Sequence, residues 1–126
     1  MILGTLKDLD EAHIIKSFEV NSIAVIRIIH HFYPRISASE NFYCGVMGSI
    51  AGFMSSPLFS VYGASKAALK IFIESVNVEL AKGGTSNRIL NVSPGSIKGT
   101  AFYNGQNDLS LTSSLAEEIL LRLKNK

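Results

Sequence analysis

The sequence predicts an α/β fold in which helices alternate with short parallel strands. Three observations predict it. Residues 10–33 and 60–82 are long stretches rich in apolar residues at helical spacing. Residues 41–49 and 88–93 are short apolar runs of strand length. Pro34, Gly83-Gly84 and Pro94-Gly95 punctuate the chain between these stretches. With a last helix near the C-terminus the order is helix, strand, helix, strand, helix, which implies a parallel pair joined by a right-handed helical crossover.

Each element has its own signal. Asp10 can cap the first helix, and Glu11 suits its positive N-terminal end. Ile14, Ile15, Phe18, Ile23, Val25, Ile26, Ile29 and Phe32 cover much of its circumference, so it is expected to be packed on several sides, and Pro34 is expected to end it. The first strand is built around Phe42, Tyr43, Val46 and Met47, a continuous run that fits a strand covered on both faces. Residues 52–57 read as a loop. The second helix stops at Gly83 and Gly84, with Lys82 at its negative end. Residues 88–93 form the second strand and 100–111, rich in Asn, Gly and Ser, a long loop. Ser113 or Ser114 opens the last helix, with Glu117 and Glu118 in its first turn.

Composition narrows the function. The 126 residues suffice for one domain with a real core, expected to span 1–126. Apolar residues make up 47% and charged residues 17%, which argues against disorder. The net charge is only +2 and the basic residues are scattered, so neither nucleic acid nor an anionic membrane is an expected partner. Cys44 is the single cysteine; it is expected to be an inert buried thiol, and a reducing, cytoplasmic setting is the default. The order of residues at the N-terminus is wrong for a signal peptide, and the longest mostly apolar stretch, 23–33, is far short of a membrane span of about 20 residues. His30 and His31 are adjacent and point in different directions on a helix, so no metal site is expected.

Tyr62-Gly-Ala-Ser-Lys66 carries the chemistry. Residues four apart on a helix lie about 40° apart in projection, so Tyr62 and Lys66 share a face. A free tyrosine has a pKa of about 10, and a nearby ammonium biases it toward the phenolate needed for proton transfer near neutrality. Gly63, Ala64 and Ala67 are small enough to let a cofactor or another helix come close. Taken alone, the pair is weak evidence and reads first as a helix-surface neighbour pair.

Together with its surroundings the pair is more specific. Tyr62-Gly-Ala-Ser-Lys66-Ala-Ala-Leu69 resembles the active-site helix of the classical short-chain dehydrogenase/reductase family. Gly48-Ser49-Ile50-Ala51-Gly52 is similar to its strand-end serine motif, with Ser49 thirteen residues before Tyr62. Arg88-Ile-Leu-Asn-Val-Ser-Pro94-Gly95 resembles its strand and Pro-Gly turn, and Phe18-Glu-Val-Asn21 the helix bearing its asparagine. The matches are collinear over roughly 8–100.

The resemblance implies a partial Rossmann-like fold and an NAD(P)-dependent oxidoreductase that transfers hydride between a nicotinamide and a carbonyl or alcohol. It implies Tyr62 as general acid in reduction and base in oxidation, Lys66 as the group that lowers its pKa and binds the nicotinamide ribose, and Ser49 as the hydrogen-bond donor to substrate. Asn21 would hold a water in a proton relay reaching Lys66; its alternative is a mid-helix Asn that disturbs the backbone ladder. Ser49 could also be a strand-end cap. Pro94, Gly95 and Ile97 would meet the nicotinamide. The family often has a threonine five residues after the proline; Gly99 stands there, and Thr100 follows it as the candidate.

No Gly-rich phosphate turn is present. The chain is therefore expected to be the catalytic half of the fold, without the nucleotide-binding segment and the last strand: a shortened gene product, an isolated domain or a proteolytic remnant. NAD or NADP is then not expected to bind tightly to this chain alone. Two alternatives stand beside the oxidoreductase: a catalytically incompetent fragment that only self-assembles, and an epimerase or dehydratase sharing the Tyr-Lys chemistry. A homodimer or higher homo-oligomer built on the two long helices is expected, because their wide apolar faces and the open sheet edges need cover.

Overall fold

The structure, a computed structural model, describes residues 3–53, 55–93 and 110–125. The described elements run in the order α1 (Glu11–Phe18), a π-helical turn (Glu19–Ile23), α2 (Ala24–Ile36), β1 (Cys44–Met47), a 3-10 turn (Ile50–Phe53), α3 (Ser60–Lys82), β2 (Ile89–Val92) and α4 (Ser110–Lys124). β1 and β2 pair in parallel, Cys44 opposite Ile89 and Met47 opposite Val92. The α/β fold with a parallel sheet is as expected.

The first helix is where expectation and structure part. Asp10 caps it, accepting from the His13 N–H at 2.8 Å. It is then broken by the wide turn at 19–23, where the Ala24 N–H reaches back five residues to the Glu19 carbonyl. Pro34 does not end it; α2 continues to Ile36. A proline this close to a helix end forfeits one bond, to the carbonyl four residues back, on exposed His30. Ile36, only 1% exposed, anchors the last turn. Nor is this helix covered on several sides: Ile29 is buried, whereas Ile15, Ile23, Ile28 and Phe32 are exposed.

α3 falls on the expected residues. Leu69, Ile73, Val76 and Leu80, at alternating spacings of four and three, form a buried stripe that packs with Ile29, Ile36, Val46 and Ile89 into the core. The chain leaves α3 through Gly83, and Gly84 takes the left-handed conformation, φ +86°, that its missing side chain allows.

Side chains supply hydrogen bonds where the short strands end. The buried Asn87 accepts from the Phe42 N–H at 3.1 Å, and its amide nitrogen lies 2.8–3.2 Å from the carbonyls of Ile36, Ala38 and Glu40, clamping the link between α2 and β1. Asn77 of α3 pairs with both backbone groups of Ile89, at 2.8 and 2.9 Å, and so holds the start of β2.

The remaining differences are at boundaries. β1 is shorter than 41–49, and Cys44 is half-buried. Part of the expected 52–57 loop belongs to the 3-10 turn. α4 starts at Ser110, ahead of Ser113, so Glu117 and Glu118 fall beyond its first turn and Glu118 pairs instead with Arg122 at 2.7 Å. The loop expected at 100–111 otherwise lies outside the described residues. No helix among the described residues is long and apolar enough to cross a membrane.

Candidate active site

Tyr62 lies in the first turn of α3 and is 9% exposed, with the Phe59 ring centroid 6.1 Å from its own. Lys66 follows one turn later. Its Nζ sits 5.9 Å from the centre of the Tyr62 ring and donates to the Met47 carbonyl at 3.4 Å. This long hydrogen bond ties α3 to the end of β1, two residues before Ser49. Partial burial disfavours the ammonium and lowers the Lys66 pKa below the usual 10.5.

The approach of the serine segment to α3 depends on glycine. A side chain at Gly63 would put its Cβ 2.9 Å from the Ala51 carbonyl oxygen, and one at Gly52 would lie 3.0 Å from the carbonyl carbon of Lys66. The 3-10 turn therefore rests directly on the first two turns of α3. Gly63 accommodates this turn and also lines, with Ala64 and Ala67, an open cleft of about 530 Å³ to which Ser49, Tyr62 and Lys66 do not contribute. Ser49 is half-buried, and its Oγ accepts from the Ala51 N–H at 3.1 Å. It thus acts as a strand-end cap, a role compatible with donating its own hydroxyl proton elsewhere.

Asn21 lies in the π-turn. Its Nδ2 donates to the Ser65 Oγ at 3.2 Å, and Ser65 in turn donates to the Tyr62 carbonyl at 2.7 Å. Asn21 is thus joined to the residue between Tyr62 and Lys66. Ser22 adds a 2.6 Å hydrogen bond to the Ser65 carbonyl. Sequence reasoning missed Ser22 and Ser65; the available signal was a pair of small polar residues inside otherwise apolar helices. Pro94, Gly95, Ile97 and Thr100 lie outside the described residues. The strand that leads to them ends with Ser93 donating to Asn91 Oδ1 at 3.3 Å.

A strand-end serine segment packed on a helix that carries Tyr and Lys on one face, beside a parallel strand pair, defines a class of proteins. Residues 1–109 match the family described as short chain dehydrogenase, and the chain belongs to that family. It is 36% identical over 93 residues to the short-chain dehydrogenase srdE of Neurospora crassa, covering 74% of this chain and 31% of that one. It is 31% identical over 93 residues to human 17-beta-hydroxysteroid dehydrogenase type 1, with 74% and 28% covered. The chain spans about a third of the length of the curated relatives it matches. Among solved structures, a short-chain dehydrogenase/reductase from Vibrio parahaemolyticus superposes with a TM-score of 0.69 at 29% identity, covering 75% of this chain and 45% of that one. One from Burkholderia phymatum, solved in complex with NAD, superposes with a TM-score of 0.73 at 22% identity, covering 97% and 47%, and speaks for the fold alone. The fold is part of the Rossmann-type fold of these neighbours.

Proposed function

We propose that this chain carries the catalytic half of an NAD(P)-dependent oxidoreductase acting on a carbonyl or alcohol. The observation that carries the proposal is the placement of Lys66 behind Tyr62, half-buried and drawn onto the strand end that leads to Ser49. The nicotinamide, NAD or NADP, supplies the two-electron chemistry when bound. The donor set fits it: Lys66 has three N–H groups and spends one on a long bond to Met47, which suits a ribose diol. Pro94, Gly95, Ile97 and Thr100 are the further residues assigned to that side.

The chain's own residues handle the proton. In reduction Tyr62 passes its phenolic proton to the substrate oxygen, and in oxidation it takes one back. The Lys66 ammonium favours the phenolate left behind. Ser49 donates a hydrogen bond to the same substrate oxygen, and Asn21 holds the water through which the proton is replenished at Lys66. The single cysteine is in keeping with a reducing, cytoplasmic setting.

Exposed apolar residues on the helices favour a second property. Ile15, Ile28, Ile71 and Val78 are each more than half exposed, as expected of a chain of one domain that assembles with a second copy through these helices.

Saturation-transfer NMR of the chain with NADH or NADPH tests the catalytic reading. The nicotinamide and its ribose should receive saturation ahead of the adenine, and Lys66→Ala should abolish the effect. Uniform saturation along the dinucleotide, or micromolar affinity of about −8 kcal/mol, would show a phosphate site that this reading lacks.

A further inference from the structure

Two neighbouring polar side chains of the π-turn, Asn21 and Ser22, converge on one residue of the catalytic helix. Asn21 reaches the Ser65 hydroxyl and Ser22 the Ser65 carbonyl, across a sequence separation of more than forty residues. Ser65 is 0% exposed, so its partners come from the protein itself. Its one hydroxyl proton is committed to the Tyr62 carbonyl, which can only accept. The Ser65 oxygen must therefore accept from Asn21. That requirement fixes the amide with its nitrogen toward Ser65 and turns Oδ1 away.

A π-turn also interrupts the ordinary backbone ladder, so side chains and carbonyls there are held by whatever the turn packs against. Here that is the peptide immediately before Lys66. The covalent neighbour of the lysine thus carries two bonds from the element that bears Asn21.

We propose that Ser65 is a positioning residue: its hydroxyl and carbonyl lock the π-turn in register on α3, so that Asn21 keeps a fixed place relative to Tyr62 and Lys66. The relevance to catalysis rests on the oxidoreductase reading above, whereas the lock itself does not. Tyr62 is the titratable group that faces Lys66 among the described residues, through its ring at 5.9 Å, and no carboxylate is ion-paired to Lys66 among them.

The test uses NMR of the full chain. Ser65→Ala removes one buried oxygen. It should speed solvent exchange of the Asn21 side-chain amide protons roughly fivefold or more, as losing one hydrogen bond of about 1 kcal/mol net allows. It should also move the titration midpoint of the Lys66 ε-carbon signal. Asn21→Ala should move that midpoint in the same direction, and the double variant no further than the larger single change. A merely structural serine would lower Tm in Ser65→Ala while the Lys66 midpoint stayed in place, and that result, or additive shifts, overturns the proposal. Should Ser65→Ala fail to fold, Asn21→Ala alone decides it: an unchanged Lys66 midpoint there overturns it equally. Absence of NADH contact together with intact Ser65–Lys66 coupling sinks the oxidoreductase reading and leaves the lock standing.

Discussion

The two long helical stretches look alike in sequence and behave differently in the fold. α3 runs unbroken for 23 residues and buries eight of them, Tyr62 and Ser65 included. The stretch from Glu11 to Ile36 is broken by a π-turn, buries little beyond Ser17, Ser22, Ile29 and Ile36, and leaves Ile15 and Ile28 more than half exposed. The difference separates two tasks. α3 is an unbroken carrier, packed against both the 3-10 turn and the core. The first stretch is a bracket: it joins α3 through polar atoms at its break and through Ile29 and Ile36 in the core, and it leaves much of its remaining apolar surface exposed.

The largest expected effect breaks the carrier's chemistry without its packing. Tyr62→Phe removes a transferable proton from a buried ring and should lower turnover by about 10²–10⁴, the worth of a general acid, while NAD(P)H contacts by saturation transfer persist. Near-normal turnover in this variant would remove Tyr62 from the mechanism.

Next comes the packing itself. Helical Gly→Ala changes ordinarily gain up to about 1 kcal/mol. At Gly63 the new Cβ would stand 2.9 Å from a backbone oxygen, so Gly63→Ala should instead cost about 1–3 kcal/mol in urea unfolding. Gly83→Ala is the contrast on the same helix. There φ is −74° and the nearest atoms lie 3.5 Å away, so the change should be neutral or stabilising by up to about 1 kcal/mol. Equal effects at the two sites would mean that the serine segment does not rest on α3 as described.

The bracket's outward face predicts a smaller and different effect. Ile28, 59% exposed, should tolerate Glu with little change in the stability of the single chain. Light scattering at micromolar concentration should report a dimer or larger for the parent chain and a lower mass for Ile28→Glu. A parent chain that is already a monomer would show that this apolar surface is not an assembly face.

Sequence legibility followed the same division. α3 and both strands could be read because they rest on local signals: a 3.6-residue period, strand-length apolar runs and glycine stops. Tyr62 and Lys66 stand out by their four-residue spacing, and Ser49 only through the resemblance to the family's motif. The bracket was read as one helix because its apolar content is continuous through 19–23. A π-turn inserts a single residue into the ladder and leaves no compositional mark except Asn21 and Ser22. Pro34 was read as a stop because proline generally is one, but Ile36, buried and held through Asn87, pulls the chain on for another two residues. Ser65 and Asn87 were invisible for a shared reason. Each matters through bonds to residues more than forty positions away, and no local pattern encodes those partners.

The smallest expected effect concerns the cost of keeping Lys66 where it is. Its pKa in the fold is lowered by burial, so the unfolded chain, near 10.5, holds the proton more tightly than the folded one. Stability therefore rises with pH across the window between the lowered value and 10.5, and below that window the penalty on the ammonium is fully present. The compensating contacts, a 3.4 Å hydrogen bond and a cation–ring approach at 5.9 Å, are both at the weak end of their ranges. Lys66→Met keeps an unbranched chain of similar reach and drops the charge. At neutral pH it should raise Tm slightly, and the gain should shrink toward zero as pH rises through and past 10.5, above which the wild-type lysine is neutral in both states. Thermal melts of the two proteins across that pH range make the measurement. A variant that melts lower than the parent at neutral pH, by a margin that does not change with pH, would mean that Lys66 is held for stability and that its burial is not a cost borne for the site.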